Sequence, residues 1–188
     1  MTIAILALQG AFAEHQQMLS RLGVASTLIR NLDDWNTYLA DAPQTGFQGK
    51  GLIIPGGEST TMTRILHDQN MWEPLRDAIR GGLPTFGTCA GLILLDSEHL
   101  GVMNITARRN AYGRQLGSFH AQGHFGDTAV PMTFIRAPYI ETAGDGVEVL
   151  TVHEGRMVAA RQANMLVTAF HPELDTDTAV HQYFLRML

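Results

Sequence analysis

Residues 86–91 read Phe86-Gly87-Thr88-Cys89-Ala90-Gly91 and connect a predicted strand, 84–86, to a predicted apolar helix, 92–95. Cys89 has a glycine two positions before it and another two positions after it, which is the spacing of a nucleophile elbow. In such a turn, glycines allow close backbone approach around a residue held in an unusual conformation. The stretch therefore predicts an α/β fold in which Cys89 lies at a helix N-terminus, where free backbone amides can bind an oxyanion.

The chain before the elbow alternates short apolar runs with helical segments. Continuous apolar runs are typical of strands buried on both faces of a parallel sheet, and a strand-helix-strand order predicts right-handed crossovers. Strands are predicted at 3–8, 24–29 and 51–54, and helices at 12–22, at 32–39, from Glu58 onward and at 71–80. Residues 41–50, which include Pro, Gly and Gln, are predicted to form an exposed loop.

The chain after the elbow has a different pattern. Residues 116–169 contain several short strand-like stretches separated by closely spaced turn residues, which favours antiparallel pairing. These predicted strands include 132–135, 147–152, 157–161 and 165–170, and a helix is predicted at 177–188. The fold class is thus α/β, with a mostly parallel central sheet and antiparallel strands in the second half.

Composition restricts the classes of function. The 188 residues predict one domain, and only 16% of them are charged, against roughly 25% in an average soluble protein. We therefore expect part of the surface to be covered by a partner.

The net charge of -5 and scattered Lys and Arg residues argue against nucleic acid as a ligand, and no apolar run approaches the roughly 20 residues that span a bilayer. An N-terminus without a secretion signal predicts a cytoplasmic protein.

Cys89 is the single cysteine, so its role is either core filling or chemistry. A thiolate nucleophile needs a base and a group that orients the base. Phe170-His171-Pro172-Glu173 offers both, because the residue before a proline favours extended geometry and Glu173 can accept the second ring N–H of His171. His-Pro-Glu is a common string, and it gains specificity only in combination with the elbow.

Pro55-Gly56-Gly57-Glu58-Ser59 follows a predicted buried strand. Two adjacent glycines can expose N–H groups to a carbonyl oxygen that becomes negative during thiol attack. In isolation, the same string is an ordinary tight turn.

Together these motifs resemble the class I, triad-type glutamine amidotransferase family, and within it the glutaminase subunits of pyridoxal 5′-phosphate synthase. Six strings carry the resemblance in the family's order over nearly the whole chain. They are Leu8-Gln9-Gly10-Ala11 with Glu14-His15, residues 55–62, residues 86–92, Arg109-Asn110 with Gly113-Arg114-Gln115, residues 134–138, and residues 170–173.

The resemblance implies a three-layer, flavodoxin-like fold and a cysteine-dependent glutaminase that needs no cofactor and no metal. Its substrate would be L-glutamine, and its partner a synthase subunit that receives the ammonia and builds pyridoxal 5′-phosphate. The implied catalytic residues are Cys89, His171 and Glu173. The other implied site residues are Gly57 and Ala90 for the oxyanion hole, and Gly56, Gly57, Glu58, Arg109, Ile135 and Arg136 for glutamine. Gln9 and Gly10 are predicted to contact the partner, because they lie at the C-terminal edge of the first strand, where ligands of open α/β sheets gather.

Several features lie outside these motifs. The stretch between Leu95 and Arg109 looks shorter than in many relatives, and the 41–50 loop looks longer. His120 and His124 are interpreted as surface histidines, because Gly123 and Gly126 disfavour a helix that would present both to a metal. Without the motif match, the same interpretation would apply to Arg109 and Arg136 as surface arginines.

Three rival functions remain open at this stage. The first is a glutaminase for another synthase, such as the one that builds imidazole glycerol phosphate. The second is a stand-alone cysteine hydrolase or peptidase, in which the elbow is retained without the glutamine pocket. The third is a silent scaffold that binds the synthase without turnover, which retention of all three triad residues disfavours.

Overall fold

The computed structural model describes residues 1–40, 46–109 and 117–188. The helices in these ranges are α1 (Phe12–Arg21), α2 (Leu32–Ala40), α3 (Ser59–Asp68), α4 (Trp72–Arg80), α5 (Ala90–Leu95) and α6 (Ala179–Leu185), with a short 3₁₀ turn at Pro172–Leu174. The strands are β1 (Thr2–Leu6), β2 (Ala25–Ile29), β3 (Lys50–Ile54), β4 (Thr85–Thr88), β5 (Ile105–Arg108), β6 (Ser118–Phe125), β7 (Thr128–Ile135), β8 (Tyr139–Ala143), β9 (Glu148–His153), β10 (Arg156–Gln162) and β11 (Met165–Thr168).

One nine-stranded sheet organises the chain. Its order is β2-β1-β3-β4-β11-β10-β8-β5, and β9 pairs with β10 beside this path. The five strands from β2 to β11 are parallel, and β10, β8, β5 and β9 join by antiparallel pairing. The predicted combination of a mostly parallel sheet with antiparallel strands in the second half is confirmed. Strands β6 and β7 form a separate antiparallel pair.

Helices cover both faces of the parallel strands. Phe86 on β4 contacts His181 and Phe184 of α6 and His15 of α1. The next residue, Gly87, faces α5, because a Cβ built on it would lie 2.7 Å from the Gly91 carbonyl group. Successive residues of a strand point to opposite faces. Helices α1 and α6 therefore lie on one face and α5 on the other, which gives three layers.

The burial of the strands explains which were predicted correctly. Every residue of β3 and β4 is buried. The apolar run at 51–54 indicated this burial for β3, whereas the predicted strand 84–86 covers only the first half of β4. Strands β5, β6 and β8 were not predicted individually, and β6 alternates exposed and half-buried residues over most of its length.

Two further predictions need adjustment. Helix α6 covers only Ala179–Leu185 of the predicted 177–188, because the Asp177 Oδ1 accepts the Ala179 N–H and marks the start of the helix. Residues 41–45 of the predicted 41–50 loop lie outside the described residues, and Lys50 belongs to β3.

Candidate active site

Cys89 lies in the turn between β4 and α5, with φ 49° and ψ -99°. A non-glycine residue in this conformation costs roughly 1–3 kcal/mol, so the surroundings must hold it in place. The Cys89 N–H donates to the Thr168 carbonyl oxygen at 2.8 Å, which ties the turn to β11. A Cβ at Gly91 would lie 2.1 Å from the Ile54 carbonyl oxygen, so only glycine fits there. The neighbouring strands thus fix the nucleophile position.

His171 and Glu173 form a buried pair just after β11. The His171 N–H donates to the Thr133 carbonyl oxygen at 2.8 Å, and His171 Nδ1 lies 2.7 Å from Glu173 Oε1. The backbone of His171 is extended, with φ -107° and ψ 84°, as expected before a proline. Because a carboxylate accepts hydrogen bonds, Glu173 holds the Nδ1–H form of the ring and leaves Nε2 for the reacting groups.

The imidazole and the cysteine meet at Gly56. A Cβ built on Gly56 would lie 2.2 Å from His171 Cε1 and 3.2 Å from Cys89 Cβ. Burial lowers the pKa of His171, but its interactions with the side chains of Cys89 and Glu173 outweigh burial and raise the pKa to about 10. The ring is therefore protonated at neutral pH, where it can stabilise a thiolate and donate a proton.

Two loops, residues 9–11 and residues 56–58, are hydrogen-bonded to each other beside Cys89. The Ala11 N–H donates to the Gly56 carbonyl oxygen at 2.9 Å, and the Glu58 N–H donates to Gln9 Oε1 at 2.7 Å. Gly10 has φ +97°, and a Cβ on it would lie 1.8 Å from the Gly56 carbonyl oxygen. The predicted partner residues Gln9 and Gly10 thus hold the Gly-Gly loop in position.

These elements enclose a cavity of about 280 Å³. Every site residue predicted from the sequence lines it except Glu173, which lies behind His171. The lining residues are Gln9, Gly10, Ala11, Gly56, Gly57, Glu58, Ser59, Cys89, Ala90, Ile93, Arg109, Ile135, Arg136, Pro138 and His171. Four of them were not predicted: Ala11, Ser59 and Pro138 lie within the quoted strings, and Ile93 follows Cys89 by one helical turn.

Opposite charges lie at the rim of the cavity. Arg109 Nη2 contacts Glu58 Oε1 at 2.8 Å, and Arg109 Nη1 donates to Thr60 Oγ1 at 3.2 Å. Hydrogen bonds from Thr61 and Thr60 lower the pKa of Glu58 to about 2, so the side chain is a carboxylate. The Glu58–Arg109 pair is half exposed and adds little to stability, but it presents both signs of charge to a ligand.

Two predicted pocket residues come from the end of β7. Ile135 is 37% exposed, and its carbonyl oxygen lies 3.9 Å from Cys89 Sγ. Arg136 has φ 43° and donates its N–H to the Gly117 carbonyl oxygen. In the fourth string only Arg109 is described; Asn110 and Gly113-Arg114-Gln115 lie outside the described residues.

Comparison with known proteins identifies the family. A model of the SNO glutamine amidotransferase family matches residues 5–188. The chain belongs to this family.

Known proteins resemble this SNO-family chain both in sequence and in structure. The chain is 54% identical to the pyridoxal 5′-phosphate synthase subunit PdxT of Streptococcus pneumoniae serotype 2 (strain D39 / NCTC 7466), with 100% of this chain and 97% of the relative covered. A crystal structure of a glutamine amidotransferase matches with a TM-score of 0.85 at 36% identity, covering 98% and 97% of the two chains. The predicted resemblance and fold class are confirmed.

A more distant match is a structure of PurLQS from Thermotoga maritima. It has a TM-score of 0.68 at 12% identity and covers 98% of this chain and 97% of that chain. At this identity the likeness concerns the fold alone.

The structure also describes the two histidines that were considered as metal ligands. His120 and His124 lie on the strand β6, and His120 Nδ1 bonds the Thr133 hydroxyl at 2.9 Å. Within 1–40, 46–109 and 117–188, no group of three or more His, Cys, Asp or Glu side chains could hold a metal ion. No helix in these ranges is long and apolar enough to cross a membrane.

Proposed function

We propose that this chain is a glutaminase that hydrolyses L-glutamine to L-glutamate and ammonia, and that it serves as the glutaminase subunit of a pyridoxal 5′-phosphate synthase. One observation carries the proposal: Cys89 is held at a strained elbow and lines the same cavity as His171, whose ring is paired with the buried Glu173. The match to PdxT over the whole chain supports the choice of synthase.

The proposed first step is attack of the Cys89 thiolate on the δ-carbonyl carbon of glutamine. The new C–S bond pushes the carbonyl electrons onto oxygen, and backbone amides near Gly57 and Ala90 would stabilise this oxyanion. His171 Nε2 donates its proton to the departing amine as the C–N bond breaks, so ammonia leaves and a glutamyl thioester remains. The presence of Cys89, His171, Gly57 and Ala90 in the lining of one cavity supports this step.

The second step is hydrolysis of the thioester. His171, now neutral, removes a proton from water as the water oxygen attacks the thioester carbon, and the C–S bond breaks to release glutamate and the thiolate. Glu173 accepts the Nδ1–H throughout and keeps the ring oriented. The second proton of the water leaves with the new carboxyl group and passes to solvent as glutamate ionises. Every bond and proton is then accounted for by these three side chains and water, so the mechanism requires no cofactor.

For glutamine binding, we propose that Gly56, Gly57, Glu58, Arg109, Ile135 and Arg136 form the pocket. Glutamine carries an α-carboxylate and an α-ammonium group, and the Glu58–Arg109 pair offers a partner of opposite charge to each. The carbonyl oxygen of Ile135 adds an acceptor beside Cys89.

A glutaminase that worked without its synthase would waste glutamine, so we propose that docking activates it. Gln9 and Gly10 would contact the synthase subunit, and they hold the Gly56-Gly57 loop through the hydrogen bond from Glu58 N–H to Gln9. A shift of this loop on docking would complete the oxyanion hole.

We further propose that residues 1–188 form a single glutaminase domain. The support is one sheet with strands that run from Thr2 to Thr168 and a family match over residues 5–188. The cytoplasmic location expected from the sequence stays a prediction.

The test of this function is a measurement of glutamate and ammonia release with L-glutamine or L-asparagine, each with and without the synthase subunit. We expect glutamine to be preferred by at least roughly 100-fold, because the rim charges and the cavity depth must match one side-chain length, and we expect the synthase to raise the rate. Equal rates on both amides would favour a stand-alone hydrolase. Activation only by a different synthase would favour the rival amidotransferase.

The raised pKa of His171 predicts a pH dependence. The ring must be protonated to release ammonia, so kcat/KM should hold from neutral pH upward and fall as the pH rises through about 10. The groups that raise this pKa are the side chains of Cys89 and Glu173, and Glu173→Gln removes the carboxyl group. In this variant, the pH at which kcat/KM falls on the alkaline side should be lower by at least about one unit.

The raised pKa of His171 also makes the folding stability depend on pH. The folded pKa is raised above the ordinary value of 6.5, so the stabilisation by His171 is fully present below that pH and is lost as the pH rises through about 10. pH–rate profiles of wild type and Glu173→Gln in complex with the synthase check the catalytic prediction. If kcat/KM of wild type and of Glu173→Gln fell at the same alkaline pH, the catalytic prediction would be wrong.

A further inference from the structure

A second polar network lies directly behind the His171–Glu173 pair. His15 on α1 and His181 on α6 are both 0% exposed. His15 Nδ1 lies 2.9 Å from His181 Nε2, and His15 Nε2 lies 3.1 Å from Thr88 Oγ1 and 3.5 Å from Glu173 Oε2. These contacts connect two helices from opposite ends of the chain to the back of the site.

Both histidines of this network are neutral. Burial, followed by the charges of His181 and His171, lowers the pKa of His15 well below its usual value, and burial lowers the pKa of His181 to about 3. Each ring therefore carries one N–H, and the question is which nitrogen holds it.

In one arrangement His15 carries its proton on Nδ1 and donates it to His181 Nε2. The proton of His181 then lies on Nδ1, which has no partner among the described residues. The lone pair of His15 Nε2 can accept the Thr88 hydroxyl proton, but it also faces the carboxylate oxygen Glu173 Oε2. This leaves a buried N–H unpaired and places two acceptors against each other. Buried unpaired N–H groups are rare in proteins because each is costly.

In the other arrangement both protons lie on Nε2. His181 donates to His15 Nδ1, and His15 Nε2–H points at Thr88 Oγ1 and Glu173 Oε2. The carboxylate oxygen Oε2, which has no hydrogen bond of its own in the described part of the chain, then faces a donor. The lone pair of His181 Nδ1 is then left over, and the Thr88 hydroxyl, which accepts from both His15 Nε2–H and Gly56 N–H, has no acceptor for its own proton among the described contacts. The second arrangement still has the lower cost, because it gives the charged carboxylate a donor and leaves no ring N–H unpaired.

Thr88 extends the network to the Gly-Gly loop. Its hydroxyl oxygen accepts the Gly56 N–H at 3.0 Å. His15 thus contacts both the residue that orients the imidazole and the residue that anchors the loop beside Cys89.

We propose that His15 is a positioning residue for the glutaminase reaction: its Nε2–H holds Oε2 of Glu173 and the hydroxyl of Thr88, so that Oε1 of Glu173 stays aligned with His171. The inference rests on the proposed function, because it assigns His15 a part in the same reaction. His181 fixes the tautomer of His15 by donating to Nδ1.

The activity test compares His15→Leu with His15→Gln in complex with the synthase subunit. Leucine fills the space without a donor, whereas the side-chain amide of glutamine can place an N–H close to the position of Nε2. We expect His15→Leu to lower kcat roughly 10- to 100-fold with little change in KM, and His15→Gln to stay within about fivefold of wild type. The exposed His124, replaced by leucine, is the matched control and should keep the wild-type rate.

Equal loss in both His15 variants would overturn the assignment of the Nε2 donor, and wild-type kcat in both would overturn a positioning role. An inactive wild-type complex would count against the proposed function instead.

A second measurement does not depend on turnover or on the folding of any variant. Two-dimensional ¹⁵N–¹H spectra of histidine side chains in the wild-type protein report the tautomer of each ring. We expect His15 and His181 to be neutral at neutral pH, each with the proton on Nε2. A proton on Nδ1 of His15 would overturn the proposal.

Discussion

Cys89→Ala is expected to abolish glutamate release by the synthase-bound protein, with a loss of at least about 10⁴-fold in kcat. The magnitude follows from the role of the thiol as the only group that bonds to the substrate: removing the nucleophile of a triad leaves only binding and oxyanion stabilisation. The fold should survive, because alanine keeps the Cβ and the hydrogen bond from the residue 89 N–H to Thr168. The free energy of unfolding should change by about 1 kcal/mol or less.

The measurement is single-turnover glutamate release, combined with mass spectrometry of acid-quenched protein. Wild type should show a glutamyl adduct on Cys89, and the alanine variant should show none. The control is His124→Ala, which removes an exposed side chain far from the elbow in sequence and should leave both readouts unchanged. Glutamate release by Cys89→Ala at more than about 1% of the wild-type rate would remove the thiol from the mechanism.

The central parallel strands β1 and β3 could be predicted because burial on both faces leaves a continuous apolar run. Ile3 to Leu6 of β1 are all fully buried, and the same pattern marks β3. The antiparallel half gives a weaker signal. Strand β8 aligns with β10 at one residue pair only, Ile140 with Met157, and β6 carries its exposed residues in a separate two-stranded sheet. Strands with little burial have few positions at which the sequence must be apolar.

The candidate site also has one part that the sequence predicted and one part that only the structure shows. Cys89, the Gly56-Gly57 loop and His171 with Glu173 lie in short strings whose chemistry is local, so the combination of these strings indicated them. The His15–His181 contact joins residues 166 positions apart and depends on how α1 and α6 pack over β4. No local pattern encodes that packing. The string containing His15 was part of the resemblance, but its role required coordinates.

Gly56→Ala is expected to lower kcat/KM by more than about 100-fold, because a methyl group at this position would lie between the two reacting side chains. The added Cβ would meet His171 Cε1 at 2.2 Å, His171 Nδ1 at 2.9 Å and Cys89 Cβ at 3.2 Å. Contacts this short force the imidazole to move, and a displacement of about 1 Å from the reacting geometry can cost roughly 10² in rate. The ring is also tied to Glu173 through Nδ1, and the His171 backbone is tied to the Thr133 carbonyl oxygen, so the ring cannot move without weakening its hydrogen bond to Glu173.

The matched control for this substitution is Gly117→Ala, where a new Cβ meets nothing within 4 Å among the described residues and the backbone is outside the left-handed region. That variant should keep the wild-type kcat/KM within about twofold. Circular dichroism and thermal unfolding of both variants separate displacement of the ring from loss of the fold. A folded Gly56→Ala protein with wild-type turnover would show that the ring and the thiol do not meet beside this glycine during catalysis. The proposed use of His171 as the proton donor would then lose its geometric basis, since Gly56 is the point at which Cys89 and His171 approach one another.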